Sequence, residues 1–537
     1  MSSATAQSSV PVTFGQPFRS GDWPTAQGLT ATDSTGAAVP IQADEISTHK
    51  DGTVRFAVLS AKVSNVQANQ PKLVNFFLGA KSTAAQAVPA DPDWNLELEA
   101  KVYSGSTLIS TLVAKPQDLL KQQIAQNKGR RLNGAVATEY TVIAPFKNAS
   151  TNAEHAHLSA RLHTRLYESG ARIRTDVVLE NNWTFKPQPA NITYELNIKR
   201  NGQVVYTQPR FTHYHHARWH KVVWTGTEPQ VRVRHNMPYF LASKATLNYD
   251  LGIYTNAASK RESVLAQEAQ QLAAANTSPM GPAFLSTYFP GTGGRPELGL
   301  NPRWTALYLV TQDDRARASM FANANAAAGV PMHYRNESTD NPLDITAYPN
   351  LSVGGFSSSP VVPTSSDTTV WEPDSSHQGS FAYMPYLISG DAFYQDETMF
   401  WASWNIARKN PEYRGRGAGL VNEDQTRGQA WVMRSLAEAA YSLPDTHPMK
   451  AYFQARLAVN LDWYAANYAN NSSISPMGVI QKPDEPKYSQ PWQNDFFAIV
   501  FSWLTENKEP KAVDTLNWIS KFNVGRYSAE SQGFCTA

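Results

Sequence analysis

Cysteine is almost absent from this chain of 537 residues. The single Cys535 has no partner for a disulfide within the chain, which excludes a disulfide-stapled scaffold. No apolar run of eighteen or more residues occurs, so no membrane-spanning helix is expected. The formal net charge is only +2, and no long Lys/Arg run is present, so a nucleic-acid-binding protein is not indicated.

Several familiar motifs are also missing. No Walker-type Gly-Lys-Ser/Thr loop occurs, and no Gly-x-Gly-x-x-Gly lies between a strand and a helix, which leaves nucleotide binding without support. The Gly-x-Ser-x-Gly elbow of serine hydrolases is absent as well. Residues 1–9 are polar and small, so no signal peptide is expected in this sequence.

What the chain does have is length and aromatic residues. At 537 residues it is too long for one hydrophobic core, which indicates two to four domains. Tryptophan, tyrosine and phenylalanine together make up 11% of the sequence. Flat rings stack on sugar faces, although large cores use the same residues.

The first half of the sequence predicts strands. Val54, Phe56 and Val58 alternate with other residues directly after Asp51-Gly52, which is the period-two pattern of a half-buried strand leaving a tight turn. Asn201-Gly202 is the strongest hairpin signal of the chain. Several long strands in succession predict an antiparallel β-sandwich.

From about residue 259 the pattern changes to helices joined by Gly/Pro/Asn-rich loops. The predicted helices cover 262–275, 304–328, 379–388, 391–407, 425–441, 449–468, 493–504 and 512–519. Paired helices indicate an (α/α) toroid, and eight are too few to close a ring of six hairpins, so a partial toroid is expected. The predicted parts are a small β domain over 1–90, the β-sandwich over 91–258 and the toroid over 259–537.

This order of parts resembles a known family. The opening Val10-Pro11-Val12-Thr13-Phe14-Gly15 and the later His49-Lys50-Asp51-Gly52-Thr53-Val54-Arg55 resemble the RIFT-barrel-like first domain of exo-rhamnogalacturonan-lyase-like proteins. In that family a β-sandwich and an (α/α) toroid follow. The resemblance implies a polysaccharide lyase and does not fix the sugar.

A lyase that acts on a uronic acid must remove the weakly acidic proton beside the sugar carboxylate. Arg, Asn, Gln or His side chains must therefore neutralise the carboxylate as negative charge develops. A base, usually His or Tyr, and an acid, often Tyr, are also required. Clusters of these residue types are the candidate sites.

The first cluster runs from Asp374 to Tyr386. Ser375 or Ser376 can cap a helix whose first turn carries His377, the predicted base, and Tyr383 follows as a further catalytic candidate. The alternative is that His377 only caps the helix and the tyrosines pack the core.

The second cluster is a Gly-rich loop leading into a helix start. Asn422 and Arg427 are predicted to be catalytic, and Glu423 and Trp431 to bind substrate, because Arg427 and Trp431 share one helical face. The alternative is a capped helix with an exposed charged first turn.

The third cluster is a run of histidines over residues 213–220, which contains four of the chain's 12 histidines. Read as a strand, its alternation makes a zinc site conceivable, but no carboxylate or Cys stands beside it and no metal is expected. We expect a loop that reaches the toroid cavity, with His216 catalytic and Arg218 and His220 binding substrate.

Further candidates are Tyr334 and Arg335 in a loop between helices, and Trp492 and Asn494 at the start of a late helix. All four are predicted to bind substrate. The toroid arrangement predicts that such polar and aromatic helix starts converge on one cavity.

The sequence thus predicts a lyase that cleaves an acidic, uronate-containing polysaccharide or oligosaccharide by β-elimination, without a cofactor. It predicts no nucleic-acid partner and no membrane insertion, it gives no oligomeric state, and it favours an extracellular, periplasmic or phage-associated protein. One alternative is a glycoside hydrolase of the toroid type with a carboxylate pair. The other is a non-catalytic carbohydrate-binding surface protein.

Overall fold

A computed structural model describes residues 1–291, 294–422, 425–474, 476–480 and 490–528. β-structure fills the first part of the chain, and helices fill the C-terminal part. Within the described ranges, no helix is both long and apolar enough to cross a membrane.

The N-terminal part contains two small antiparallel sheets. Their strands are β1 (Gln7–Pro17), β2 (Gly28–Asp33), β3 (Ile41–Thr48), β4 (Val54–Val66) and β5 (Val74–Gly79). The order in one sheet is β1-β4-β3, and β2 pairs with β5 in the other. The predicted turn before β4 is present, with Gly52 at a φ of +79° that favours glycine and the Asp51 carboxylate accepting from the Thr53 amide.

The following part is one large antiparallel sheet of nine strands. These are β6 (Leu96–Ser104), β7 (Thr107–Ala114), β8 (Arg130–Asn133), β9 (Ala137–Asn148), β10 (Glu154–Tyr167), β11 (Arg172–Asn181), β12 (Ile192–Arg200), β13 (Gln203–His213) and β14 (Ala217–Thr225). The order is β13-β12-β6-β7-β9-β10-β11-β14, and β8 pairs with β9.

The large sheet is nearly barrel-shaped because two groups of strands fold over one core. Strands β7 and β9 are joined by only two residue pairs, so the groups on either side of this link behave like the two layers of a sandwich. Leu98 and Leu196 from one group and Val142 and Leu162 from the other are buried in the same apolar cluster. This arrangement is the predicted sandwich, in which the pairing of β7 with β9 joins the two layers into one sheet.

Helix α1 (Gln117–Gln126) lies within the sheet region, and the described residues after the sheets form ten helices. They are α2 (Met237–Ala242), α3 (Ala258–Ala274), α4 (Arg303–Thr311), α5 (Asp314–Ala327), α6 (Tyr383–Ser389), α7 (Ala392–Ala407), α8 (Thr426–Ser442), α9 (Lys450–Tyr464), α10 (Pro491–Glu506) and α11 (Ala512–Ser528).

Helices α6–α7, α8–α9 and α10–α11 form three successive packed pairs, and α8 also packs against α7 and α10. Every residue of α8 is buried, so this helix is the centre of the helical part. The predicted fold class, β domains followed by a helical C-terminal region, is confirmed. The predicted boundaries at 90/91 and 258/259 stay predictions.

Two local expectations differ from the structure. The predicted helix 304–328 is divided at Gln312, whose φ of +48° ends α4, and the Asp313 carboxylate then caps α5. The histidine run is not one strand, because His216 has a φ of +52° in the turn between β13 and β14. Its side chains therefore do not alternate as predicted.

Candidate functional site

His377 and Asp374 form a bonded pair just before α6. The two residues flank a single 3₁₀ turn, Ser375–His377, so His377 is not in the first turn of an α-helix as the sequence suggests. Nδ1 of His377 lies 2.5 Å from Oδ2 of Asp374. Because an ionised carboxylate only accepts, Nδ1 carries a hydrogen, and Nε2 is the ring nitrogen at which a proton can be exchanged.

The His377 ring is 2% exposed, and its Nε2 has no hydrogen-bond partner among the described residues. Buried polar atoms are nearly always paired, so an unpaired one calls for a functional reason. An imidazole held by a carboxylate at one nitrogen, with its other nitrogen unpaired, is the arrangement of a general base.

Asp374 is fixed in its ionised form. Burial alone would raise its pKa, but the hydrogen bonds from His377 and from the Ser376 amide, together with the charge of Arg408, hold the pKa of this carboxyl below its usual value. A guanidinium nitrogen of Arg408 lies 3.3 Å from Oδ1 of Asp374. The carboxylate therefore orients the imidazole and stabilises its protonated form.

Arginines surround this pair. Arg295 donates to the His377 carbonyl over 3.2 Å and pairs with Glu297 at 2.9 Å. Arg427, near the start of α8, is 9% exposed, and burial and the charge of Arg295 lower its pKa against the opposing effect of Asp374. No carboxylate of a described residue lies within 4.0 Å of the Arg427 guanidinium, so its charge is available to an anion.

The start of α10 meets the start of α8 at the same place. The Arg427 amide donates to Oε1 of Gln493 over 3.2 Å, and the guanidinium of Arg427 lies 5.1 Å from the ring centroid of Trp492. Trp492 is 41% exposed, which leaves a ring face free for stacking. Arg427 and Trp492 are thus in contact, and the charge of Asp374, the partner of His377, acts on Arg427. Their convergence on one substrate cavity stays a prediction.

Three other predicted residues of these helix starts are differently engaged. The carbonyl of Asn422 accepts from the Gln429 side chain, and its Oδ1 is buried without a partner among the described residues. Oδ1 of Asn494 accepts from the Ile480 amide over 2.9 Å. Trp431 is 0% exposed, so it cannot stack on a sugar as predicted. Glu423 lies outside the described residues.

Tyr383 does not have the contacts of a catalytic acid. Its hydroxyl donates to the Ala245 carbonyl over 3.0 Å, and its ring packs against Trp503. Burial raises the pKa of Tyr383 well above the usual value, with the Glu438 charge adding to the effect. The phenol is therefore a structural donor at the base of α6, contrary to the prediction.

Arg218 and Arg335 belong to a buried ion network between the large sheet and α7. Arg218 is 0% exposed and pairs with Glu180, Asp396 and Glu397 at 3.0, 3.2 and 2.9 Å. Arg335 pairs with Glu180 and Asp396 at 2.9 and 2.7 Å. Both guanidinium groups are occupied by protein carboxylates and do not bind substrate as predicted.

The remaining predicted residues of the histidine run are also engaged within the protein. His220 bonds to Asp176 at 2.7 Å and to Asn325 at 3.0 Å. His216 lies 2.9 Å from His215 through their Nδ1 atoms and stacks on Tyr334 with ring centroids 4.2 Å apart. Its buried Nε2 has no hydrogen-bond partner among the described residues, but no described carboxylate bonds to its ring as Asp374 bonds to His377. Burial raises the pKa of Tyr334 to about 12.

The ion network and the His377 pair lie at opposite ends of α7. Asp396 is near the beginning of this helix, and Arg408, which bonds to Asp374, caps its end. Twelve residues separate them, which is about 18 Å at the rise of an α-helix. The histidine run therefore does not reach His377, contrary to the prediction that it lines the same cavity, because it is held against the first turns of α7.

Arg218 carries one of the positive charges that balance the carboxylates of this buried network. Arg218→Met is expected to lower the free energy of unfolding by about 3–5 kcal/mol, because it removes the buried cation that pairs with Glu180, Asp396 and Glu397. Chemical denaturation measures the loss. The folded variant is expected to keep its kcat, whereas a substrate-binding Arg218 would lose activity in proportion to lost sugar affinity.

A second arginine of α8, Arg434, bonds to the backbone next to His377. Arg434 donates to the Gly299 carbonyl over 2.6 Å and to the Gln378 carbonyl over 3.2 Å. Its neighbour Glu438 is buried, and burial raises the pKa of Glu438 to about 7 against the opposing charge of Arg434 and a hydrogen bond from Ser380. Glu438 therefore prefers its protonated form in the folded protein.

A pH dependence follows from Glu438. Its folded pKa of about 7 exceeds the ordinary value of 4.5, so the folded state binds the proton more tightly, and stability falls as pH rises from 4.5 to 7. Glu438→Gln removes the cost of ionising this buried carboxyl and is expected to stabilise the protein at pH 7.5 by up to about 3 kcal/mol. Chemical denaturation of both proteins at pH 4.5 and 7.5 measures the change in the free energy of unfolding. An equal change at both pH values would contradict a raised pKa of Glu438.

Three residues of the site carry roles that the sequence did not predict. The sequence places Asp374 in the first cluster but does not identify it as the partner of His377, although their spacing of three residues is a usable signal. Arg295 follows glycines at 291, 293 and 294, which do not indicate its bond to the His377 carbonyl. Arg408 comes from the end of α7, and nothing in its local sequence indicates the contact.

Comparisons with known proteins bear on the N-terminal part. No curated protein matches this chain. Among solved structures, a glycosyl hydrolase family 38 protein from Enterococcus faecalis is 10% identical with a TM-score of 0.20, over 36% of this chain and 31% of that chain. An alpha-mannosidase from Enterococcus faecalis V583 is 11% identical with a TM-score of 0.18, over 36% and 30%. The chain spans about a third of the length of these proteins, and likeness at this level carries no argument.

The opening segment gives the clear match. Residues 1–75 match the family model described as the PcRGLX-like N-terminal RIFT barrel domain. They include both of the opening motifs on which the resemblance to exo-rhamnogalacturonan-lyase-like proteins was based. The first part of this chain is therefore a RIFT barrel domain similar to the N-terminal domain of PcRGLX-like proteins.

Proposed function

We propose that the chain is a polysaccharide lyase that cleaves an acidic, uronate-containing chain by β-elimination at the His377 site. The observation that carries the proposal is the free Nε2 of His377, buried beside an arginine without a carboxylate partner. A base and an uncompensated cation are the two groups that proton abstraction beside a carboxylate requires. The match of residues 1–75 supports the same reaction class.

In the proposed step, Nε2 of His377 takes the proton from the carbon beside the uronate carboxylate. The electron pair of that C–H bond forms the new carbon–carbon double bond, and the bond to the glycosidic oxygen breaks. The protonated His377, held by Asp374, then returns the proton to the leaving oxygen. One sugar chain leaves with a hydroxyl and the other with an unsaturated uronate.

Arg427 is proposed to bind the uronate carboxylate during this step. A planar guanidinium matches a carboxylate through two parallel hydrogen bonds, and Trp492 offers an exposed ring beside it for the sugar face. Neutralising the carboxylate lowers the cost of the negative charge that develops on the neighbouring carbon.

A hydrolase would require two carboxylates around the scissile bond. In the site, Asp374 is bonded to His377 and Arg408, and Glu297 is bonded to Arg295. These two carboxylates of the described residues are ion-paired, which disfavours their use as acid or nucleophile and favours the lyase.

The test is a panel of acidic polysaccharides that begins with rhamnogalacturonan and includes neutral polysaccharides as controls. A lyase produces ultraviolet absorbance from the unsaturated uronate, in step with new reducing ends. Reducing ends without absorbance would indicate hydrolysis. Binding without any product would indicate a non-catalytic carbohydrate-binding protein.

A further inference from the structure

A second cavity lies where the RIFT barrel domain meets the helices. It has a volume of about 300 Å³, at the lower end of the range for small-molecule sites. It is bounded by the turn between β3 and β4, the end of α8, the middle of α9 and the residues just before α11. Its polar lining includes His49, Lys50, Arg55, Tyr441, Asp462 and Glu509. The first three belong to the second opening motif, which the proposed reaction does not use.

Arg55 is the central residue of this cavity. Its side chain is 8% exposed, and its guanidinium lies 4.1 Å above the centre of the Tyr441 ring. Its Nε donates to Nδ1 of His49 over 3.3 Å. No described residue accepts a hydrogen bond from its two terminal nitrogens, and no carboxylate of the described chain lies within 4.0 Å.

His49 holds Arg55 in this orientation. Its Nε2 is 2.9 Å from the Phe18 carbonyl, which can only accept, so the hydrogen is on Nε2 and Nδ1 accepts from Arg55. Burial, followed by the charge of Arg55, lowers the pKa of His49. The imidazole is therefore neutral, and the terminal nitrogens of Arg55 are left to an outside acceptor.

The other charges around the cavity are paired. Lys50 bonds to Glu509 at 2.6 Å, and Asp462 bonds to Lys511 at 2.7 Å. Among the described residues of the lining, Arg55 thus contributes one positive charge without a carboxylate partner. Burial and the neighbouring Glu509 carboxylate raise the pKa of Tyr441, so its hydroxyl stays protonated and can donate.

We propose that this cavity is a second binding site, which takes the carboxylate of a sugar acid on the terminal nitrogens of Arg55. One uncompensated guanidinium fits one planar anion, and its fork favours a carboxylate. The proposal rests on the proposed function only for the choice of a sugar as the carrier of the carboxylate.

This site is separate from the one at His377. Arg427 lies near the start of α8, and Tyr441 lies near its end. Fourteen residues separate them, which is about 21 Å along the helix. A uronate at Arg55 therefore occupies a different part of the protein and does not compete for the catalytic groups.

The experiment is calorimetric titration of the full chain with galacturonate, galactose and acetate. It is made in the Arg427→Met background, so that the catalytic site does not contribute. Galacturonate is expected to bind, and galactose, which lacks the carboxylate, is expected not to bind. Arg55→Met should weaken galacturonate binding about 10- to 100-fold.

Two further variants keep the test independent of folding. Ala458→Phe narrows the cavity from an exposed position on α9 and removes no charge, so it should weaken binding in a folded protein. Arg317→Met is the matched control, since Arg317 stacks on Phe321 at 4.4 Å outside the cavity; its affinity should be unchanged.

Unchanged galacturonate affinity in both Arg55→Met and Ala458→Phe would overturn the proposal. Acetate binding as tight as galacturonate would support a carboxylate site but overturn the sugar as its carrier. Failure of the proposed function is seen separately, as absence of ultraviolet product from the unmodified chain, whatever the titrations give.

Discussion

His377→Gln is expected to lower kcat on a uronate polysaccharide by about 10²–10⁴-fold, the contribution of a positioned general base. Glutamine can still hydrogen-bond to Asp374 and fill the same space, but it cannot take a proton at the position of Nε2. The initial rate of ultraviolet absorbance measures the effect. KM should change little, because His377 is not proposed to bind the carboxylate.

Tyr383→Phe is the control for this prediction. Its hydroxyl is already used by the Ala245 carbonyl, so its loss should reduce stability by about 1 kcal/mol and leave kcat within twofold. A large loss of kcat in Tyr383→Phe together with a small one in His377→Gln would reverse the two roles and contradict the proposed base.

Arg427→Met is expected to reduce kcat/KM by about 10²–10³-fold, as removal of one stabiliser of developing negative charge does elsewhere. Methionine keeps much of the length and apolar contact of the arginine side chain against Trp492 but carries no charge. The rate on the free acid form of the polysaccharide is the direct measurement.

The methyl-esterified substrate separates charge from shape. Esterification removes the sugar's negative charge, so Arg427→Met should affect the rate on the ester far less than the rate on the acid. An equal loss on both forms would mean that Arg427 supports the fold of the site rather than neutralising a carboxylate.

Local patterns in the sequence were sufficient for much of the fold. The alternation at Val54, Phe56 and Val58 marks a real strand, and the change to helices near residue 259 is present as α3. The division at Gln312 was missed because no glycine or proline marks the left-handed residue there. Side-chain periodicity alone does not reveal such a break.

The sequence grouped residues usefully where two helix starts meet. Arg427 and Trp492 begin the neighbouring helices α8 and α10 and lie in contact, whereas the loop after His377 contacts the middle of α8. The prediction that Arg218 and Arg335 bind substrate was wrong. In a sequence, an arginine of a buried ion network cannot be distinguished from one that binds a sugar acid. Their partners, Glu180 and Asp396, lie far apart along the chain.

The contact between Asp374 and Arg408 is one that local sequence patterns do not predict. Their contact joins a loop to the end of α7 across 34 residues, and it depends on how α7 packs beside α8. Distances of this kind follow from tertiary structure and leave no mark in local spacing.

The most direct test of the central claim is the mass of the products from a defined acidic oligosaccharide. Elimination divides the substrate without adding water, so the two product masses sum to the substrate mass. We expect the unmodified chain to give product masses that sum to the substrate mass, and His377→Gln to give no products at the same time point. Products whose masses sum to the substrate plus one water molecule would contradict it.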